Sequence, residues 1–401
     1  MAMANGRRRA WLLGVPISLL GLAAALTLAR PTAATAAVYV PRSDDELLET
    51  LPVGAQNRWL QAPAGANAPA PADAASSVAR ARSELIQYQA SSDPRYLGRA
   101  EAALGPFWEQ PNPPQPVLVL RARIRQSNHE FSVALSDLDH ALLMDPQDPQ
   151  ALLDRASIHT VLGRYDAARS DCSRLEGLTA SLYVSACRAA IAGVTGSARA
   201  AADDLARALL VPGLELEDEC WAESLLGELS TRVGDWAAAE AHFLGVLAAC
   251  PSDSYAKGAL ADLWLARGRN AEVVRLLAEQ VQKDALLLRL TIAERGLHSP
   301  EFSKHLEDLS QRFEEAHLRG SSVHRREEAR FELALRDAPE RALALALSNF
   351  EVQRETADVQ IALEAALAAG KPERAQAVLA FVRASGLEDP QIARLLARFP
   401  R

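Results

Sequence analysis

Eight histidines, four cysteines and several acidic clusters are the groups in this chain from which a reactive centre could be built. A metal site needs ligands that converge. His298 and His305 stand seven residues apart, as do His317 and His324, so on one helix each pair is separated by two turns, about 11 Å of rise. That is too far for both rings to reach one ion. No H-E-x-x-H and no zinc-finger spacing of Cys and His occurs, and the histidines read as solvated helix-surface residues. Thiol exchange needs closely spaced thiols, and no C-x-x-C is present. The acids of ELEDE, Glu215 to Glu219, precede a helix, where they favour the positive end of its dipole, and Asp203 and Asp204 read as a solvated mid-helix pair. With no G-x-S-x-G, P-loop or dinucleotide fingerprint either, the expectation is a protein with no catalytic residues, no metal and no cofactor.

The elements that would hold these residues are helical. The chain has 401 residues, 49% hydrophobic and 5% aromatic, with abundant alanine and few β-branched residues, which favours helix over strand. Arg7 to Arg9, an apolar run from Ala10 to Ala29 and the small-residue stretch PTAATAA read as an export signal over residues 1–37, cleaved after Ala36 or Ala37. An uncleaved membrane anchor is the alternative, and RRAWLL also resembles a twin-arginine signal. Loss of residues 1–37 removes four arginines and no acids, taking the net charge from -8 to -12. So acidic a protein is not expected to bind nucleic acid or an anionic membrane surface, and it would meet a membrane only through the N-terminal segment. Residues 38–74 read as mostly irregular. Within them Ser43 and Glu46 make a capping box for DELLETL, which Pro52 stops, and QAPAGANAPAPADAASS is a linker too poor in apolar bulk for a core.

A rhythm of large and small residues follows. In GDWAAAEAHFLGVLAACP, Gly234 is followed by Trp236, Ala239, Phe243 and Pro251. Phe131, Ala134, Leu138, Ala141 and Pro146 repeat the pattern, as do Gly163, Tyr165 and Ala168 with Cys172 at the large site. Gly196, Ala198, Ala201, Leu205, Ala208 and Pro212 make a further copy, and Gly268 with Leu277 another. From His129, which stands at the glycine site, Gly163, Gly196, Gly234 and Gly268 follow at steps of roughly 34 residues, a period that marks stacked helical pairs. The step from Gly196 to Gly234 is the longest of them.

With Leu226 and Gly227 in the first helix and Trp236, Ala239, Phe243 and Pro251 in the second, LLGELSTRVGDWAAAEAHFLGVLAACP resembles the tetratricopeptide repeat. The resemblance implies an all-α, right-handed solenoid of about nine hairpins. Small residues at repeat positions 8, 20 and 27 would let paired helices approach, and no hairpin would bury its apolar face alone. Residues 75–114 read as a degenerate hairpin, 115–283 as the clearest repeats, and 284–401 as divergent repeats with a closing helix from Asp389 to Arg398. In that last part Gly370, Ala375 and Leu379 mark one copy and Ala342 another, while 284–322 carry few signature residues.

Four cysteines allow three connectivities. In the register of the resemblance, Cys220 and Cys250 fall at the start of one helix and the end of its partner, and Cys172 and Cys187 on neighbouring helices of successive repeats. The implied pairs are Cys172 with Cys187 and Cys220 with Cys250. Buried free thiols are the alternative.

The resemblance further implies a protein or peptide partner on the inner face of the first helices. Inward positions hold Tyr183, Trp221 and Tyr255 as an aromatic stripe, with Arg123, Gln126, Glu228, Thr231, Arg232 and Asp262 beside it. Core packing and partner binding both remain open for Trp221. His324, Arg325 and Glu328, in VHRREEARFELAL, offer a second contact or a solvated face. Similarity to exported bacterial repeat proteins places the expected scaffold in the cell envelope, in the periplasm or, as a tethered assembly adaptor, anchored to the inner membrane. The alternative of another class is an envelope enzyme with its site in the groove, dependent on His242 or Glu228.

Overall fold

The computed structural model describes residues 73–91, 93–318 and 324–400. The expected export segment, the capping box at Ser43 and residues 61–72 of the linker lie outside them, while the end of the linker is not irregular, since α1 begins at Ala74. Every regular element among the described residues is a helix. The chain runs through α1 (Ala74–Ser91), α2 (Pro94–Trp108), α3 (Gln115–Ser127), α4 (Phe131–Met144), α5 (Pro149–Val161), α6 (Tyr165–Arg174), α7 (Ser181–Ala192), α8 (Ala198–Ala208), α9 (Leu216–Arg232) and α10 (Trp236–Ala249). It continues with α11 (Ser254–Leu265), α12 (Asn270–Leu277), α13 (Asp284–Leu297), α14 (Phe302–Leu318), α15 (Arg325–Ala334), α16 (Pro339–Val352), α17 (Thr356–Ala368), α18 (Gln376–Ser385) and α19 (Pro390–Leu396).

Local chemistry starts and stops these helices. Asp148, Asp235 and Asp253 cap α5, α10 and α11 by accepting the backbone N–H of Ala151, Ala238 and Ala256 at 2.9, 3.0 and 2.8 Å. The turn inside each hairpin from α3–α4 onward passes through the left-handed region. His129, Gly163, Gly196, Gly234 and Gly268 have φ of 60, 70, 87, 78 and 68°, and His298, Asp337 and Gly370 follow at 53, 52 and 64°. These last three keep a mean step of roughly 34 residues, so the register continues through the stretch that reads as degenerate. Histidine and aspartate simply replace glycine there.

Close packing explains the small residues. A Cβ on Gly227 would come within 2.6 Å of the Phe243 ring, so α9 and α10 can pack this closely only because that position is glycine. Odd-numbered helices touch both their hairpin partners and the next odd helix, giving an inner layer, and the even helices cover it outside. A second repeated feature ties the layers. Arg121 donates to Asp137 at 2.7 and 3.0 Å, and one repeat further along Arg155 donates to Asp171 at 2.6 and 2.9 Å.

The stack also closes on itself. Tyr165, Ala168, Cys172, Ile191 and Val194 share one core with residues from α15 to α19. Two backbone hydrogen bonds stitch the join: Arg354 N–H donates to the Val161 carbonyl at 2.8 Å, and Glu388 N–H to Val194 at 2.9 Å. Phe381 lies so near the turn at Gly163 that a Cβ there would meet its ring at 2.5 Å.

Candidate functional site

The inner helices α7, α9 and α11 have two ends, and the predicted residues divide between them. Near the first turns stand Tyr183, Trp221 and Tyr255. Trp221 and Tyr255 are 44% and 56% exposed, so neither ring is a core residue. Tyr183 is half-buried, its ring 6.1 Å from that of Trp221 and tilted by 32°. The Tyr183 hydroxyl donates to Asp218 at 2.7 Å; that bond, with burial, pushes its pKa up to about 12. A disulfide underlies this end. Cys220 and Cys250 are bonded, with Cα atoms 6.6 Å apart, and pack with Val246 and Ala256, so the residues adjoining Trp221 and Tyr255 share one staple. Cys172 and Cys187 form the other bond, Cα atoms 5.7 Å apart. The four cysteines therefore pair as the register implies.

Arg232 ends α9, eleven residues after Trp221 and about 16 Å further along the axis. It reaches Glu228 at 3.4 Å, the Thr356 hydroxyl at 3.1 Å and Asp389 at 3.8 Å. Asp262 pairs with Arg289 at 2.6 Å and Arg330 at 3.3 Å. Burial alone would raise the Asp262 carboxyl, but the two guanidinium groups outweigh it and hold it below the ordinary carboxylate range. Glu228, where burial outweighs Arg232, is raised. Thus Glu228, Arg232 and Asp262 lie at a seam with the chain's own C-terminal hairpins. Beside it Gly196, Arg199, Arg232, Glu388, Asp389 and Ile392 line a cavity of about 430 Å³.

The remaining predicted residues lie elsewhere on the inner layer. Arg123 approaches Asp154 at 3.8 Å, and Gln126 donates to Ser157 at 3.4 Å. Thr231 turns its hydroxyl back to the Gly227 carbonyl of its own helix at 2.9 Å. Asp154 keeps one carboxylate oxygen buried without a hydrogen bond, and burial pushes its pKa up to about 6 against the pull of Arg123.

Two surface expectations change. His305 is buried against Glu294 at 2.9 Å, because the paired helices α13 and α14 pack over it, whereas His242 and His317 stay partly exposed, each beside a glutamate of the adjacent helix, Glu223 and Glu328, at 2.7 and 2.8 Å. The helix α15 is not a solvated face: Glu328 and Glu332 are buried and pair with Arg341, each at 3.1 Å. Its Arg326 joins Glu355 and Asp358 at 2.7 and 3.3 Å. No group of three or more His, Cys, Asp or Glu side chains among the described residues is arranged to hold a metal ion.

Left-handed turns in register, glycine under phenylalanine, and an inner layer of first helices together decide the fold type. It is a tetratricopeptide-type solenoid. No family model matches the chain, and no curated protein matches it. Among solved structures, a thermophilic tetratricopeptide protein of Thermus thermophilus aligns over 47% of this chain and 99% of its own at 19% identity, TM-score 0.40. A tetratricopeptide protein of Parabacteroides merdae aligns over 74% and 98% at 17% identity, TM-score 0.36. A Rap protein complexed with Competence and Sporulation Factor aligns over 76% and 86% at 15% identity, TM-score 0.48.

Proposed function

We propose that this tetratricopeptide-type solenoid is a non-catalytic scaffold that holds a protein or peptide partner across the first turns of α7, α9 and α11. The observation that carries this reading is the pair of exposed rings, Trp221 and Tyr255, on a stapled edge beside Tyr183. Exposed aromatics lose little conformational entropy on binding and supply much of the energy of an interface. The opposite ends of these helices are engaged by the C-terminal hairpins, which leaves the aromatic edge as their accessible end.

The two cysteine pairs fit an oxidising compartment, and with the N-terminal segment they support export to a bacterial periplasm. Anchoring through an uncleaved segment is the second reading; no helix among the described residues is long and apolar enough to cross a membrane. Sequencing the N-terminus of the mature protein distinguishes the two. For the scaffold itself, Trp221→Ala with Tyr255→Ala is expected to abolish binding of an identified, purified partner while the far-ultraviolet circular dichroism is unchanged. Undiminished binding by the double variant overturns the assignment of this edge.

A further inference from the structure

The aromatic edge is charged unequally along its length. Around Tyr183 and Trp221, the loop into α9 and its first turn carry Glu215, Glu217, Asp218 and Glu219. Asp218 is held by the Tyr183 hydroxyl, whereas Glu217 and Glu219 are exposed with no ion-pair partner among the described residues. Leu216, between them, is 48% exposed. A helix start accommodates acids, but four carboxylates within five residues repel one another, and a cation lying across them relieves that repulsion. Beside Tyr255 the balance turns cationic, because Asp253 is engaged in capping the Ala256 N–H and Asp284 pairs with Arg312. Lys257 follows two residues later without an ion-pair partner among the described residues, and Lys283, from the start of the next hairpin, donates to the Ser254 hydroxyl next to Tyr255. Burial and the nearby Lys257 charge lower the Lys283 pKa.

Resting on the reading of this edge as a docking surface, we infer that its partner is an extended peptide segment with cationic residues at one end, apolar side chains in the middle and a carboxylate-bearing end. The cationic end lies over Glu217 and Glu219, the apolar part crosses Trp221 and Tyr255, and the anionic end meets Lys257 and Lys283. Neighbouring packed helices stand about 10 Å apart, so three of them present about 20 Å, the reach of six extended residues plus the charged flanks. Charge complementarity of this kind fixes the direction of the bound chain and excludes segments of uniform charge.

The test uses the purified protein and fluorescein-labelled peptides of about nine residues, read by anisotropy at low ionic strength. One peptide has arginines at one end, leucines in the middle and glutamates at the other end. A second has the same composition with the charges interleaved, and a third has arginines at both ends. The segregated peptide is expected to bind about tenfold more tightly than the interleaved one, with the gap shrinking in high salt. Lys257→Glu should shift preference to the doubly cationic peptide, and Glu217→Lys with Glu219→Lys should remove the preference for the cationic end. Trp221→Ala should weaken every peptide, with circular dichroism confirming that each variant folds. Equal affinity for segregated and interleaved peptides, both still dependent on Trp221, refutes the charge polarity and leaves the docking edge standing. Failure of every peptide to bind, or binding indifferent to Trp221→Ala, refutes the edge itself and the polarity with it.

Discussion

At their first turns α7, α9 and α11 hold aromatic rings toward solvent, and at their last turns hairpins from the far end of the chain cover α7 and α9. The covered end is built from charge and backbone: Arg232 with Asp389 and Thr356, and Glu388 N–H on Val194. The exposed end is built from apolar rings over a disulfide, with carboxylates and lysines around it. A groove that binds a partner along its whole length would leave both ends open. Here the chain supplies its own partner at one end, so recognition is confined to the other, and the seam makes a curved ribbon into a closed body.

Gly163 and Gly268 separate the two ends most sharply, because both turn at positive φ, 70 and 68°, and only Gly163 faces the seam. Valine at Gly268 should cost only the left-handed strain, about 1 to 2 kcal/mol. At Gly163 it also strikes Phe381, so the expected loss is about 2 to 5 kcal/mol, with a larger radius of gyration in small-angle scattering. Equal losses in urea unfolding would show that the seam contributes nothing.

Removing the staple probes the open end. Cys220→Ser with Cys250→Ser should cost about 2 to 4 kcal/mol. Amide exchange should accelerate at the start of α9, while the Arg354 and Glu388 amides of the seam stay protected. Loss of protection at both ends together would mean that they are one cooperative unit.

Acid acts on the inner layer in a calculable direction. The Asp154 pKa is raised in the fold to about 6, so its contribution to stability is complete below the ordinary value of 3.8 and is lost as pH rises through about 6. Asp358, raised to about 6 chiefly by burial, acts in the same sense. Asp262 acts oppositely: its lowered carboxyl stabilises above its ordinary value and loses that contribution as pH falls below it. Between pH 7 and 5 Asp154 and Asp358 should therefore add to thermal stability, opposed by His129 and His159, whose burial lowers their pKa and which destabilise the fold as pH falls through the ordinary histidine range. Asp154→Asn should raise stability at pH 7 by up to about 2 kcal/mol and reduce that gain. The smallest change is expected from His298→Gly, a gain below about 1 kcal/mol, because it relieves a left-handed side chain in one turn without touching either end.

Much of the fold was legible because its determinants recur locally. Gly163, Gly196, Gly234 and Gly268 mark turns, and Gly227 and Ala239 mark contacts between paired helices. That pattern also brought both cysteine pairs together. At His298 and Asp337 the same turn is made by other residues, so glycine alone does not mark the register there. Arg121 with Asp137 and Arg155 with Asp171 did carry a signal, the same pair recurring one period on. At the candidate site, the spacing placed Tyr183, Trp221 and Tyr255 on successive inner helices but left the exposure of Trp221 undecided.

The periodic residues by themselves determined paired helices, their turns and the order of stacking, because each of those depends on neighbours within one repeat or the next. Where the ribbon meets itself was decided only in three dimensions. Arg232 and Thr356 are 124 residues apart, and no local pattern marks them as partners. Curvature accumulated over many hairpins brings them together, and with them it fixes which ends of the inner helices face water.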